Sequence, residues 1–109
     1  MDRSEYVRLV LDAYRSTPGV AGVVRRADRL FAAQLHERGL PFETVEDAFV
    51  LAASRRLVRP EGAAPLGAIR SLAYFSPVID EILESNVSRQ YFDYLRHRLK
   101  RAAPRSSQG

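Results

Sequence analysis

The chain has 109 residues and no cysteine. That excludes disulfides, a thiolate nucleophile and every cysteine-ligated zinc or iron–sulfur centre, and it suits a reducing compartment. Long apolar runs are missing too: no stretch approaches the roughly 18–20 residues that a membrane span needs. The opening residues, MDRSEYVRLV, mix charges and lack the uninterrupted apolar segment of a secretory signal. The expected location is therefore the cytoplasm, with no membrane partner. Glycine-rich phosphate loops of the GxxxxGK[ST] or GxGxxG kind do not occur. Ser54, Ser71 and Ser76 lie outside any G-x-S-x-G context.

Histidine is scarce. His36 and His97 stand far apart in sequence and neither has a second histidine one helical turn away, so no metal site is expected. Two adjacent carboxylate pairs, Glu46 with Asp47 and Asp80 with Glu81, each fall in the first turn of a predicted helix, where the helix dipole accounts for them. With no cofactor motif and no general acid–base constellation, the chain is not expected to be an enzyme.

What the chain does contain is helical periodicity. Apolar residues at 46% and charged residues at 28% describe a globular protein of one-domain size. Tyr6, Leu9, Val10, Ala13 and Tyr14 define a stripe on a first helix that Thr17-Pro18-Gly19 ends. Val23, Val24, Ala27, Leu30, Phe31 and Leu35 define a second helix over Val20–Arg38, with Gly39 as its stop. A third is predicted over Val45–Val58 with Thr44 as N-cap, and a fourth from Leu66 after the loop Pro60–Pro65. The stretch Ser71–Ser85, apolar over much of its circumference, is expected to be central, divided by Ser76 as N-cap and Pro77. After an Asn86-Val87 turn, Ser88 caps a last helix in which Phe92, Leu95 and Leu99 face inward and Tyr91 and Tyr94 lie at the margins. Alternating β-branched runs are lacking, so no sheet is predicted. The expected fold is an all-α, single-domain bundle of five or six helices over residues 1–103, followed by a polar tail at 104–109.

Charge is distributed unevenly. Residues 1–87 carry a net −1 and residues 88–109 a net +5. A basic surface confined to one helix suits a polyanion. Arg89, Arg96, Arg98, Lys100 and Arg101, with Tyr94 beside them, are the candidate nucleic-acid contacts: guanidinium groups clasp phosphates and a tyrosine ring stacks on an unpaired base. Arg55, Arg56, Arg59 and Arg70 form a possible second patch, although arginines closing a helix C-terminus also complement its dipole. Replacing Arg96 and Lys100 together is expected to weaken oligonucleotide binding and leave thermal stability nearly unchanged.

The runs TVEDAFVLAASRRLVRP, PLGAIRSLAYFSPVIDEILES and YFDYLRHRL resemble small helical proteins and modules encoded with bacterial mobile elements and replication genes. Over about Thr44–Lys100 the pattern is similar to the C-terminal helical domain of DnaD-type replication initiation proteins. That resemblance implies an aromatic element at Tyr74 and Phe75 and a DNA-binding basic end at Arg89–Arg101; no winged-helix partner domain is recognisable. The function it implies is non-catalytic nucleic-acid binding in replication or transposition of a bacterial mobile element, with DNA or RNA as partner. Two other classes fit the same features. One is the small helical subunit of an RNA-guided interference (CRISPR) complex, in which a larger assembly is the partner. The other is a protein-binding adaptor that uses the Tyr/Phe/Arg surface without nucleic acid.

Overall fold

Asp2 begins the first helix by accepting a hydrogen bond from the Glu5 amide at 2.8 Å, which satisfies one of the donors a helix N-terminus leaves open. The structure, a computed structural model, describes residues 1–85 and 89–102, with the side chains of Arg89 and Ala102 outside that description. The expected Asn86-Val87 turn, the Ser88 cap, Ala103 and the tail at 104–109 lie outside the described residues. Five α-helices form an all-α, single-domain bundle among the described residues: α1 (Arg3–Ser16), α2 (Arg26–Glu37), α3 (Phe42–Leu57), α4 (Ser76–Glu84) and α5 (Arg89–Ala102). A 3-10 turn, Leu72–Phe75, runs directly into α4. No described helix is long and apolar enough to cross a membrane.

One tertiary pairing displaces two predicted helix starts. The segment before α2 and the segment before the 3-10 turn are not helical. They meet instead in an isolated parallel bridge between Val20 and Ile69. The Ala21 amide donates to the Ile69 carbonyl at 2.9 Å, and the Ile69 amide to the Gly19 carbonyl at 2.7 Å. Gly19 has φ +94° and Gly22 φ +90°, a region that glycine enters freely and other residues resist. A Cβ on Gly19 would also stand 3.0 Å from Arg56 Nε. α2 therefore begins six residues later than its periodicity predicts, at Arg26 instead of Val20, and no helix forms over Leu66–Ser71.

The late start leaves Val23 outside α2, and the buried side of the helix differs from the expected stripe. Ala32, Ala33 and Leu35 are buried, while Val23 and Leu30, expected inward, are 60% and 52% exposed. Asp28, whose charge would place it with the solvent-facing arginines, is also buried. Its carboxylate accepts from the Arg25 amide and from the Leu72 amide, each at 2.8 Å, so it caps its own helix and anchors the 3-10 turn. Gly39 ends the helix at φ +75°, as its sequence position indicates.

α3 is the hub, in place of the Ser71–Ser85 stretch. It touches α1, α4, α5 and the 3-10 turn, and it is buried continuously from Asp47 to Ser54. It starts at Phe42 behind Pro41, earlier than the predicted Thr44 cap, so Glu43 is the acid of its first turn and Glu46 and Asp47 fall in the second. Leu72, Phe75 and Ile79 of the Ser71–Ser85 stretch do enter the core, with the Phe75 ring edge-on to Phe49 at 4.8 Å. Tyr74 and Leu83 stay outside, 44% and 50% exposed. Ser76 is already helical and makes no cap; Phe75 occupies that position. Asp80 and Glu81 lie past the first turn of α4, where Glu81 pairs with Arg55 and Asp80 stands 3.8 Å from Arg38, so the dipole does not explain them. α5 lays Phe92, Leu95 and Leu99 on Val50, Leu51 and Ala53 of α3, a second apolar cluster beside the main core.

Candidate functional site

The cations of α5 do not share one face. At 3.6 residues per turn, Arg96 and Lys100 lie roughly 160° around the helix from Arg98, whereas Tyr94, Arg98 and Arg101 lie within about 60° of one another. Arg96 flanks the buried seam and turns toward α3. Its Nη2 donates to Glu46 Oε1 at 2.9 Å and to Asp47 Oδ1 at 3.1 Å, and Nη1 reaches Asp93 at 3.4 Å. The Arg96 side chain is 31% exposed and that of Asp47 only 5%. This corrects the reading of Arg96 as a solvent-facing cation free for a polyanion, and it gives Glu46 and Asp47 a role other than complementing the dipole. Lys100 and Arg101 are exposed. The Arg89 side chain, also a candidate contact, lies outside the described residues.

Of the second patch, Arg55, Arg56 and Arg59 line one hollow and Arg70 does not, and the first two are engaged within the fold. Arg55 is held in a two-pronged pair with Glu81, Nη1 to Oε1 at 2.8 Å. That hydrogen bond pushes the Glu81 carboxyl below the usual glutamate range and raises Arg55. Arg56 donates to the Gly67 carbonyl at 2.7 Å and lies over the Tyr74 ring, 5.9 Å from its centre, so it pins the Pro60–Arg70 segment to α3. Arg59 lines a shallow hollow with Arg55, Arg56 and Tyr74. Arg70 is exposed beside buried Ile69 and Leu72.

A groove of about 680 Å³ opens between the C-terminal end of α3 and α5. One wall is Leu51, Leu57 and Val58; the other is Tyr91, Tyr94, Leu95, Arg98 and Leu99, with the Arg55–Glu81 pair at the edge. Leu57, Val58, Tyr91 and Tyr94 are between 46% and 67% exposed, an unusual density of apolar and aromatic surface. The Arg98 guanidinium lies 5.9 Å from the Tyr94 ring centre, a cation–π arrangement that holds the charge beside the ring. Rings at a groove mouth next to a guanidinium and Arg101 can stack a planar group and hold its phosphate. Of the sequence-derived candidates, the structure thus brings together Tyr94, Arg98 and Arg101 and separates them from Arg96 and Lys100.

Leu57, Val58 and Tyr91 were not among those candidates. Leu57 falls on the apolar stripe of α3 and reads as core; in the last turn of the helix it lines the groove instead and is 50% exposed. Among the described residues no three His, Asp or Glu side chains converge as a cation site. His36 is half-buried with its ring edge-on to Tyr6 at 5.1 Å, and His97 is exposed. No family model matches this chain, and no curated protein or solved structure is significantly similar to it.

Proposed function

We propose that this protein is a non-catalytic nucleic-acid-binding module that holds an unpaired strand along the Tyr94–Arg98–Arg101 face of α5. The observation that carries the reading is the Arg98 guanidinium set over a half-exposed Tyr94 ring at the mouth of an apolar groove. Stacking on such a ring is tolerant of sequence and contributes about 1–3 kcal/mol per base, while the arginines supply a salt-dependent phosphate term. A duplex buries its base faces, so this surface favours single strands. The resemblance of Thr44–Lys100 to DnaD-type domains extends the proposal to replication or transposition of a bacterial mobile element in the cytoplasm. In an RNA-guided interference complex the same surface would hold a displaced strand, and co-purification of guide RNA with a larger assembly separates that setting from replication.

The aliphatic wall of the groove favours a second reading, a protein-binding adaptor, because Leu57 and Val58 offer nothing a phosphate needs. Fluorescence anisotropy with labelled single-stranded and duplex oligonucleotides at two salt concentrations tests the two. Tighter, salt-dependent binding of the single strand, weakened by Tyr94→Ala, supports the nucleic-acid reading. Salt-dependent binding to neither oligonucleotide leaves the adaptor.

A further inference from the structure

A second groove, of about 480 Å³, runs between α1 and α2 and shares no lining residue with the α3–α5 groove. Its long edge is the i, i+4 row Arg3, Val7, Leu11 and Arg15, which extends about 18 Å along α1 and carries an arginine at each end. Arg8 and Arg29 add to the cationic rim, and Leu30 of α2, 52% exposed, joins the half-buried Val7 and the buried Leu11 in the apolar floor. The single acid lining the groove is Asp12. It stands 3.7 Å from Arg8 and 3.9 Å from Arg15, outside hydrogen-bonding distance, with all three side chains more than half exposed. Four arginines therefore surround an apolar strip and face one loosely shared carboxylate.

We infer that this groove docks an amphipathic helix of a partner protein, with an apolar stripe on the strip and flanking Asp or Glu on Arg3, Arg8, Arg15 and Arg29. Charge complementarity selects the occupant. A free phosphate or a nucleic-acid backbone uses the arginines and leaves Leu30 and the half-buried Val7 wet, whereas an acid-flanked helix of about 12 residues matches the length, the floor and the rim together. The surface is separate from the proposed strand-binding face, so the two readings stand or fall independently.

The test uses the full chain and two labelled synthetic peptides with leucines at the same helical spacing, one flanked by glutamates and the other by lysines. Anisotropy should show binding of the glutamate-flanked peptide alone. Its affinity should fall by about a decade or more in Arg8→Gln/Arg15→Gln and in Leu30→Asp, and stay unchanged in Arg98→Ala. Circular dichroism melts confirm that the variants fold; these are exposed positions, and the Arg8/Arg15 pair is replaced by glutamine, a neutral polar residue of good helix propensity. Equal binding of both peptides, binding of neither, or equal affinity in wild type and variants overturns the inference. So does loss of oligonucleotide binding instead of peptide binding in Arg8→Gln/Arg15→Gln, which would make the groove a polyanion track.

Discussion

Arg96 of α5 and Asp47 of α3 meet at 3.1 Å, and with Glu46 at 2.9 Å from the same nitrogen they fasten the last helix to the hub of the bundle. The cation that sequence spacing places at the heart of a nucleic-acid surface is thus a structural tie. Asp47 is nearly buried, so Arg96→Ala takes a charge-assisted hydrogen bond from a largely desolvated carboxylate. Arg96→Ala should cost about 2 kcal/mol, less than the ~3–5 of a fully buried pair because the guanidinium keeps some solvent. Urea denaturation checks this. The double variant Asp47→Asn/Arg96→Met should recover most of the loss.

Asp28 should be as sensitive, although it bears on no proposed ligand. Asp28→Ala takes the acceptor from two backbone amides, Arg25 and Leu72, the second of them buried. At about 1–3 kcal/mol for each unsatisfied donor, a loss of roughly 3 kcal/mol is expected, with a smaller loss for Asp28→Asn. Thermal melts of the two variants measure the difference. A melt unchanged in Asp28→Ala would deny the carboxylate its anchoring role.

Tyr14 gives the opposite sign. Its ring is fully buried and its hydroxyl has no hydrogen-bond partner among the described residues. Tyr14→Phe should stabilise the protein by about 1 kcal/mol. Burial first, and the Asp28 carboxylate second, raise the Tyr14 hydroxyl above its usual value near 10. The folded state therefore holds that proton longer than the unfolded state does, and stability contributed below pH 10 is lost as pH rises beyond it. The Phe variant should lack that alkaline loss in a pH series of melts.

The Arg55–Glu81 pair acts at the other end of the scale. Hydrogen bonding from Arg55 lowers the Glu81 carboxyl from its ordinary value near 4.5. Its contribution is therefore present above that pH and disappears as pH falls through the lowered value. Glu81→Gln should melt slightly below wild type at neutral pH, and the two melts should converge as acid protonates the Glu81 carboxylate. A gap that persists in acid would mean that packing, not charge, makes the difference.

Helix class, the first helix with its stop, and the buried seam of α5 were legible because each depends on local period and capping. Phe92, Leu95 and Leu99 face α3 as their spacing requires. The segments 20–25 and 66–71 were not legible as non-helical, because what removes them from the helix is a bridge between residues 49 positions apart, Val20 and Ile69. The charged residues failed for the same reason. Spacing groups Arg96 with Lys100 on one side of a wheel, but only the approach of α3 shows that Glu46 and Asp47 are waiting there. Tyr94 survived as a candidate because exposure at a helix margin is a local property.

Strand binding, as proposed, resides on the Arg98–Arg101 side of α5. The most direct measurement is the salt dependence of single-strand affinity in Arg98→Ala/Arg101→Ala set beside Lys100→Ala. Removing two phosphate contacts should weaken binding and flatten the log–log salt slope for the single strand by about 1.4, whereas Lys100→Ala should change neither by much. Unchanged affinity and slope in Arg98→Ala/Arg101→Ala, or an equal effect of Lys100→Ala, would contradict it.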